Sequence, residues 1–170
     1  MTTSGINEDI LARSERFLST VLDRLSLRDV RLVKWCGEIL DDGTDIDLIR
    51  LSPAEASYRL SGTRLSCRFS QHLDLVDRAD EPLARVELVV VVDFDLDGAL
   101  TSDEERDLAS GFLNSVYGIA YPYIREAYQA MSVRLGLEPI VLGVVAQGEV
   151  RPHNAKVVGV AEFSASSTKR

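Results

Sequence analysis

The sequence predicts an α+β fold: a four-stranded antiparallel sheet with one helix before it and two after it. Two observations make the sheet. The stretches 65–75 and 86–96 place apolar residues at alternate positions, interrupted only at Gln71, the spacing of strands that bury one face. The strand-like segments are joined by short polar turns rather than helical crossovers, which makes neighbours antiparallel. A third observation places the helices, since the apolar spacing changes to 3.6 residues before the first strand and after the last.

The elements follow in order. Asn7 suits a helix N-cap, with Glu8 and Asp9 complementing the dipole. Ile10, Leu11, Ser14, Phe17, Leu18, Val21, Leu22 and Leu25 then form one broad face, giving a helix over 7–26. Val30 to Leu40, rich in β-branched residues and holding Trp35, reads as the first strand, and Asp41-Asp42-Gly43 as its turn. Ile46 to Leu51 is a short second strand stopped by Ser52-Pro53. Leu65, Cys67, Phe69, Leu73 and Leu75 define the third; Val86, Leu88, Val90, Val92, Phe94 and Leu96 define the fourth. Val89 and Val91 make the centre of the fourth strand apolar on both faces.

A second helix is expected from Ser102, whose spacing to Glu105 fits a capping box, through Leu108, Phe112, Leu113, Val116 and Tyr117 to a stop at Gly118. The third is expected to open at Pro122, a residue suited to position N1, and to end at Gly136 before Pro139. Residues 1–146 form the expected domain. Residues 147–170 form a C-terminal extension, with a short strand possible near Val157, Val158 and Val160 and a disordered tail from Ser164.

Composition narrows the function. The 170 residues carry a formal charge of -8, which disfavours nucleic acid as a partner. No run of 18 apolar residues occurs, and Met1 to Asp9 has no secretory pattern, so a cytoplasmic protein is expected. Cys36 and Cys67 fit no metal or redox spacing and are expected as reduced core residues; His72 and His153 stand alone. No catalytic constellation, nucleophile pair or phosphate-binding loop is visible, so an enzyme is not expected and no cofactor is implied.

The run Tyr121-Pro122-Tyr123-Ile124-Arg125-Glu126, followed by Arg134, Pro139 and Leu142, resembles the C-terminal helix signature of the SecB chaperone family. With Arg28-Asp29-Val30-Arg31-Leu32 and Arg64-Leu65-Ser66-Cys67, it is most similar to the actinobacterial SecB-like chaperones of toxin–antitoxin operons. The resemblance runs from about Arg28 to Val145. It implies an ATP-independent holdase, assembled as a dimer or tetramer, that binds unfolded polypeptide, with an antitoxin as a dedicated client. It also implies a structural or interface role for Tyr121, Pro122, Tyr123, Arg125 and Glu126. An export chaperone that hands preproteins to SecA is the alternative. Glu38 and Glu87 fall where such members carry acids, whereas Lys34 and Arg85 depart from that pattern.

A holdase needs accessible apolar and aromatic side chains; Val33, Trp35, Phe69, Leu73, Tyr128 and Met131 are the expected client-binding set. An alternative of another class is a calcium-binding module. Asp93, Asp95, Asp97, Gly98, Leu100 and Glu104 match the EF-hand loop, although a strand rather than a helix precedes them.

Overall fold

The computed structural model describes residues 21–41, 46–101, 104–105, 112–143 and 158–159. Its elements are β1 (Leu25–Ile39), β2 (Leu48–Leu51), β3 (Glu55–Ser61), β4 (Arg64–Val76), β5 (Pro82–Leu96), α1 (Phe112–Arg134) and β6 (Val158–Gly159). The helix expected over 7–26 lies outside the described residues except at its end, where Val21 and Leu22 are helical and Val21 is buried in the core. Asp23 and Arg24 then turn, and Leu25 and Ser26 already belong to β1, which starts before the expected Val30.

The sheet runs β1-β5-β4-β3-β6, and β2 pairs with the C-terminal half of β4 beside β3. All pairings among β1 to β5 are antiparallel; only the two-residue β6 joins β3 in parallel. Five antiparallel strands therefore stand where four were expected. The additional one, β3, shows Ala56, Tyr58 and Leu60 alternating with Glu55, Ser57, Arg59 and Ser61. Ala56 is small and Tyr58 amphipathic, leaving Leu60 as the one large aliphatic side chain, which made the period weak. Gly62, with φ of +62°, turns β3 into β4.

One face of the sheet takes α1. Leu65, Cys67, Phe69, Leu73 and Leu75 of β4 lie beside Phe94, Val92, Val90, Val86 and Ala84 of β5. Together they form the core with Phe112, Leu113, Val116, Tyr117, Ala120, Ile124 and Tyr128 of the helix. Phe112 meets Phe94, and Tyr117 meets Phe69, in edge-to-face contacts at 6.0 and 5.4 Å. The Tyr117 hydroxyl donates to Gln71 Oε1 at 3.0 Å, and Gln71 Nε2 donates to the Ser52 carbonyl at 2.7 Å. Helix, central strand and the β2–β3 link are thus held by one buried polar chain.

The break expected between Gly118 and Pro122 is absent: α1 passes through both. Pro122 removes one helical N–H and crowds the carbonyl four residues back. That carbonyl belongs to Gly118, and both residues are exposed, so water can take the freed acceptor. Val116, Tyr117, Ala120 and Ile124 stay buried on either side and hold the helix together. The predicted stop at Gly136 is present. Its φ is +76°, Gly136 N–H donates to Val133 O at 3.0 Å, and Leu137 N–H donates to Ser132 O at 2.9 Å, a Schellman ending.

The cap expected at Ser102 falls one residue earlier. Thr101 Oγ1 accepts from Glu104 N–H at 3.3 Å, and Thr101 N–H donates to a Glu104 carboxyl oxygen at 2.7 Å. Glu104 also takes Arg24 at 2.8 Å, while Arg24 donates to the carbonyls of Asp97 and Ala99 at 3.0 and 2.9 Å.

Candidate functional site

The structure separates the expected client-binding residues into two groups. Phe69, Leu73, Tyr128 and Met131 are buried in the core. They are the large side chains that make the sheet and helix cohere, and they offer no surface in this chain. Val33 is exposed, at a register shift between Leu32 and Lys34 on the edge strand. Trp35 is half-buried, with the Arg134 guanidinium 4.2 Å above its ring. Cys67 is buried, and burial pushes its thiol up to about 12; Cys36 is exposed rather than in the core.

The accessible apolar surface lies elsewhere. Ile46, Leu48, Ile49 and Leu51 are all exposed at β2, and Val141 is 61% exposed in the extended chain after α1. Between them runs a groove lined by Ile46, Ile49, Leu75, Leu137, Pro139, Ile140 and Val141, with Asp47, Arg78 and Glu138 at its rim. Ser132 fixes its far wall. Its hydroxyl is fully buried, accepts the Ile140 N–H at 2.9 Å and donates to the Gln129 carbonyl at 2.9 Å.

The groove has a backbone component as well. β2 pairs with β4 on one side and with no described strand on the other. Ser52 N–H is bonded to His72 O across β4, so the alternation of an antiparallel pair turns the amides of Leu51 and Ile49 toward the open edge. Their side chains share the helix-side face with Leu73 and Leu75. An extended polypeptide can therefore add main-chain hydrogen bonds along β2 while its apolar side chains enter the groove. Alternating strand residues gave no sequence signal for this site, because Ile49 and Leu51 differ from core residues only in lying beyond the reach of α1.

A second apolar surface follows the free edge of the sheet. Leu27, Leu32, Val33, Ile39 and Leu40 are exposed on or next to β1, and Ile119, Tyr123 and Val133 are exposed on α1. The motif residues sit in the interior of α1, not at a helix start. Tyr121 donates to Gly143 O at 3.0 Å, anchoring the segment that follows the helix. Tyr123 is exposed, and Arg125 and Glu126 make no ion pair among the described residues.

The opposite sheet face is charged. Lys34 is paired with Glu87, which holds that carboxyl below its usual range, and Arg85 is paired with Asp74 at 2.6 Å. The acid at Glu87 is thus neutralised by the lysine that departs from the export pattern. The EF-hand-like run is not a calcium loop. Asp93 and Asp95 belong to β5 and bind Arg31 and Arg28, Ser66 donates to Asp93, and Glu104 closes the helix cap. A strand cannot wrap its first and third carboxylates around one ion.

The fold, an antiparallel sheet with its long C-terminal helix on one face, is SecB-like. The Mycobacterium tuberculosis SecB-like chaperone Rv1957, solved in complex with a ChAD peptide from the Rv1956 HigA1 antitoxin, superposes with a TM-score of 0.63. The match covers 79% of this chain and 97% of that chain at 22% identity. A Streptococcus agalactiae protein of unknown function matches 71% of this chain and 97% of its own at 10% identity, with a TM-score of 0.32. No family profile and no curated protein matches the sequence. No described helix is long and apolar enough to cross a membrane.

Proposed function

We propose that this chain is an ATP-independent chaperone, a holdase that captures extended apolar segments of unfolded polypeptide in the groove between β2 and residues 136–141. The observation that carries the reading is the coincidence there of exposed Ile46, Ile49 and Val141 with an open strand edge. Main-chain bonds supply affinity without sequence preference, and the apolar floor selects segments that would otherwise aggregate. Val33 and Trp35 extend the binding surface along the β1 side, and the four buried members of the expected set support it from beneath.

The client is proposed to be an antitoxin, supported by the likeness to a chaperone solved with an antitoxin peptide. The setting is proposed to be the cytoplasm. The β1 edge is the proposed self-association surface, since a 15-residue edge strand bearing exposed leucine, valine and isoleucine is prone to pair with another copy. A dimer or tetramer would align several grooves, and one long client would then gain from avidity.

Coexpression with a candidate antitoxin client tests the dedicated role. The antitoxin is expected to stay soluble and to co-purify only when the chaperone is present. An antitoxin equally soluble and long-lived without it contradicts that role.

A further inference from the structure

The outer face of the sheet, opposite α1, carries a basic area in a chain whose net charge is -8. Arg28 and Arg31 on β1, Arg64 and Arg68 on β4, and Arg59 on β3 share this area with Asp29, Asp93 and Asp95, and with Glu55 at the start of β3, diagonal to Arg68. The three aspartates are engaged from the β1 side, by Arg28 and Arg31. Arg59, Arg64 and Arg68 are exposed and form no ion pair among the described residues, although Arg64 stands opposite Asp95 and Arg68 diagonal to Glu55.

Register makes these three a set. Arg59 lies directly opposite Ser66, and Arg64 and Arg68 flank Ser66 on β4. Arg59 is therefore diagonal to both, at roughly 7–8 Å between Cα atoms. Ser57, Ser61, Ser66 and Ser70 fill the positions between and beside them, so nothing large shields the guanidinium groups. Arg68 is also close enough to Lys34 to oppose its charge.

We propose that Arg59, Arg64 and Arg68 form a docking surface for an acidic peptide segment of a partner protein, bound extended with carboxylates at alternate positions. Alternate side chains of an extended chain repeat every ~6.6 Å, which matches the step from Arg64 to Arg59 to Arg68. Arginine suits the task because its planar fork binds carboxylate in two-point fashion. Nucleic acid fits less well. Aromatic residues on these strands, Phe69, Phe94, Tyr58 and Trp35, all lie on the helix-side face, so no stacking platform accompanies the arginines. The chain's overall negative field also repels a long polyanion while leaving a short acidic segment to meet the local patch.

The test uses the full chain and fluorescence anisotropy with a labelled peptide of alternating serine and glutamate. Its comparators are the glutamine version of the peptide and a single-stranded oligonucleotide of equal charge. The acidic peptide should bind, with affinity falling several-fold as salt rises from about 0.05 to about 0.5 M. The glutamine peptide should not bind. R59Q/R64Q/R68Q should weaken the acidic peptide at least about tenfold, and R50Q, farther along the same face, should not. Should the triple variant melt early, R59Q alone should weaken binding about two- to fivefold with unchanged melting. Absence of binding by the unmodified chain, equal binding by the arginine variants, or tighter binding of the oligonucleotide overturns the proposal. Capture of unfolded client in the groove on the other face should be unaffected by these substitutions, so failure here and failure of the chaperone reading are separate results.

Discussion

Tyr128 is the largest fully buried side chain of the core, and its hydroxyl has no hydrogen-bond partner among the described residues. Burial accordingly holds its pKa far above the usual tyrosine range. A buried donor without a partner costs about 1–3 kcal/mol relative to an apolar replacement of the same shape. Tyr128→Phe should therefore leave stability unchanged or raise it, read as an equal or higher midpoint in urea unfolding; a clear loss would reveal a partner for the hydroxyl. Asp74 is the opposite case. The Arg85 hydrogen bond lowers its pKa despite an opposing desolvation cost. The folded value lies below the unfolded one, so this contribution is complete above about pH 4 and is lost as pH falls through the lowered folded value. Asp74→Asn should be less stable than the parent at neutral pH, and the gap should close on acidification below about pH 4. A gap independent of pH would show that charge is not its source. At this scale the sequence was most legible where geometry is local. Gly136 announced its left-handed turn, whereas the orphan hydroxyl depends on how α1 packs on the sheet and the Arg85–Asp74 pair on strand register.

Among the elements, α1 shows how tertiary packing overrides local signals. Gly118 and Pro122 read as a stop and a start, yet the buried stripe of Val116, Ala120, Ile124 and Ala127 continues across them in one helical phase. Apolar phase was the better guide, and the proline marks a tolerated cost rather than a boundary. Pro122→Ala restores an N–H to an exposed turn and should stabilise the chain by about 1–3 kcal/mol, measured by thermal or urea unfolding. No gain, or a loss, would mean that the proline is required where it stands. β4 and β5 were legible because they lie at the centre of the sheet, where every second residue is buried. β3 was not, because a strand bordered on its outer side only by the two-residue β6 needs fewer large apolar residues to stay in place. Gly37 shows the same dependence on context. A Cβ there would sit 2.8 Å from Met131 Cγ, a contact made only because the end of α1 crosses β1.

Across the whole molecule, the same apolar chemistry serves two ends, and position relative to α1 decides which. Leu73 and Leu51 are cross-strand partners, yet one is fully buried and the other exposed. The SecB-like fold could be read from the helix motif and strand order, whereas the proposed binding surface could not, since sequence does not show where the helix cover ends. Leu73→Ala should cost about 2–5 kcal/mol of stability, seen in urea unfolding, whereas serine at Ile49 and Leu51 should change stability little. Any effect of the serine substitutions on client capture then reports binding rather than folding. The most direct measurement is light scattering from a chemically unfolded client diluted into buffer without ATP, with the parent chain or with I49S/L51S present. The parent should suppress aggregation, and the double variant, melting like the parent, should lose most of that effect. Unchanged aggregation with the parent, or full protection by the variant, would contradict a holdase groove at β2.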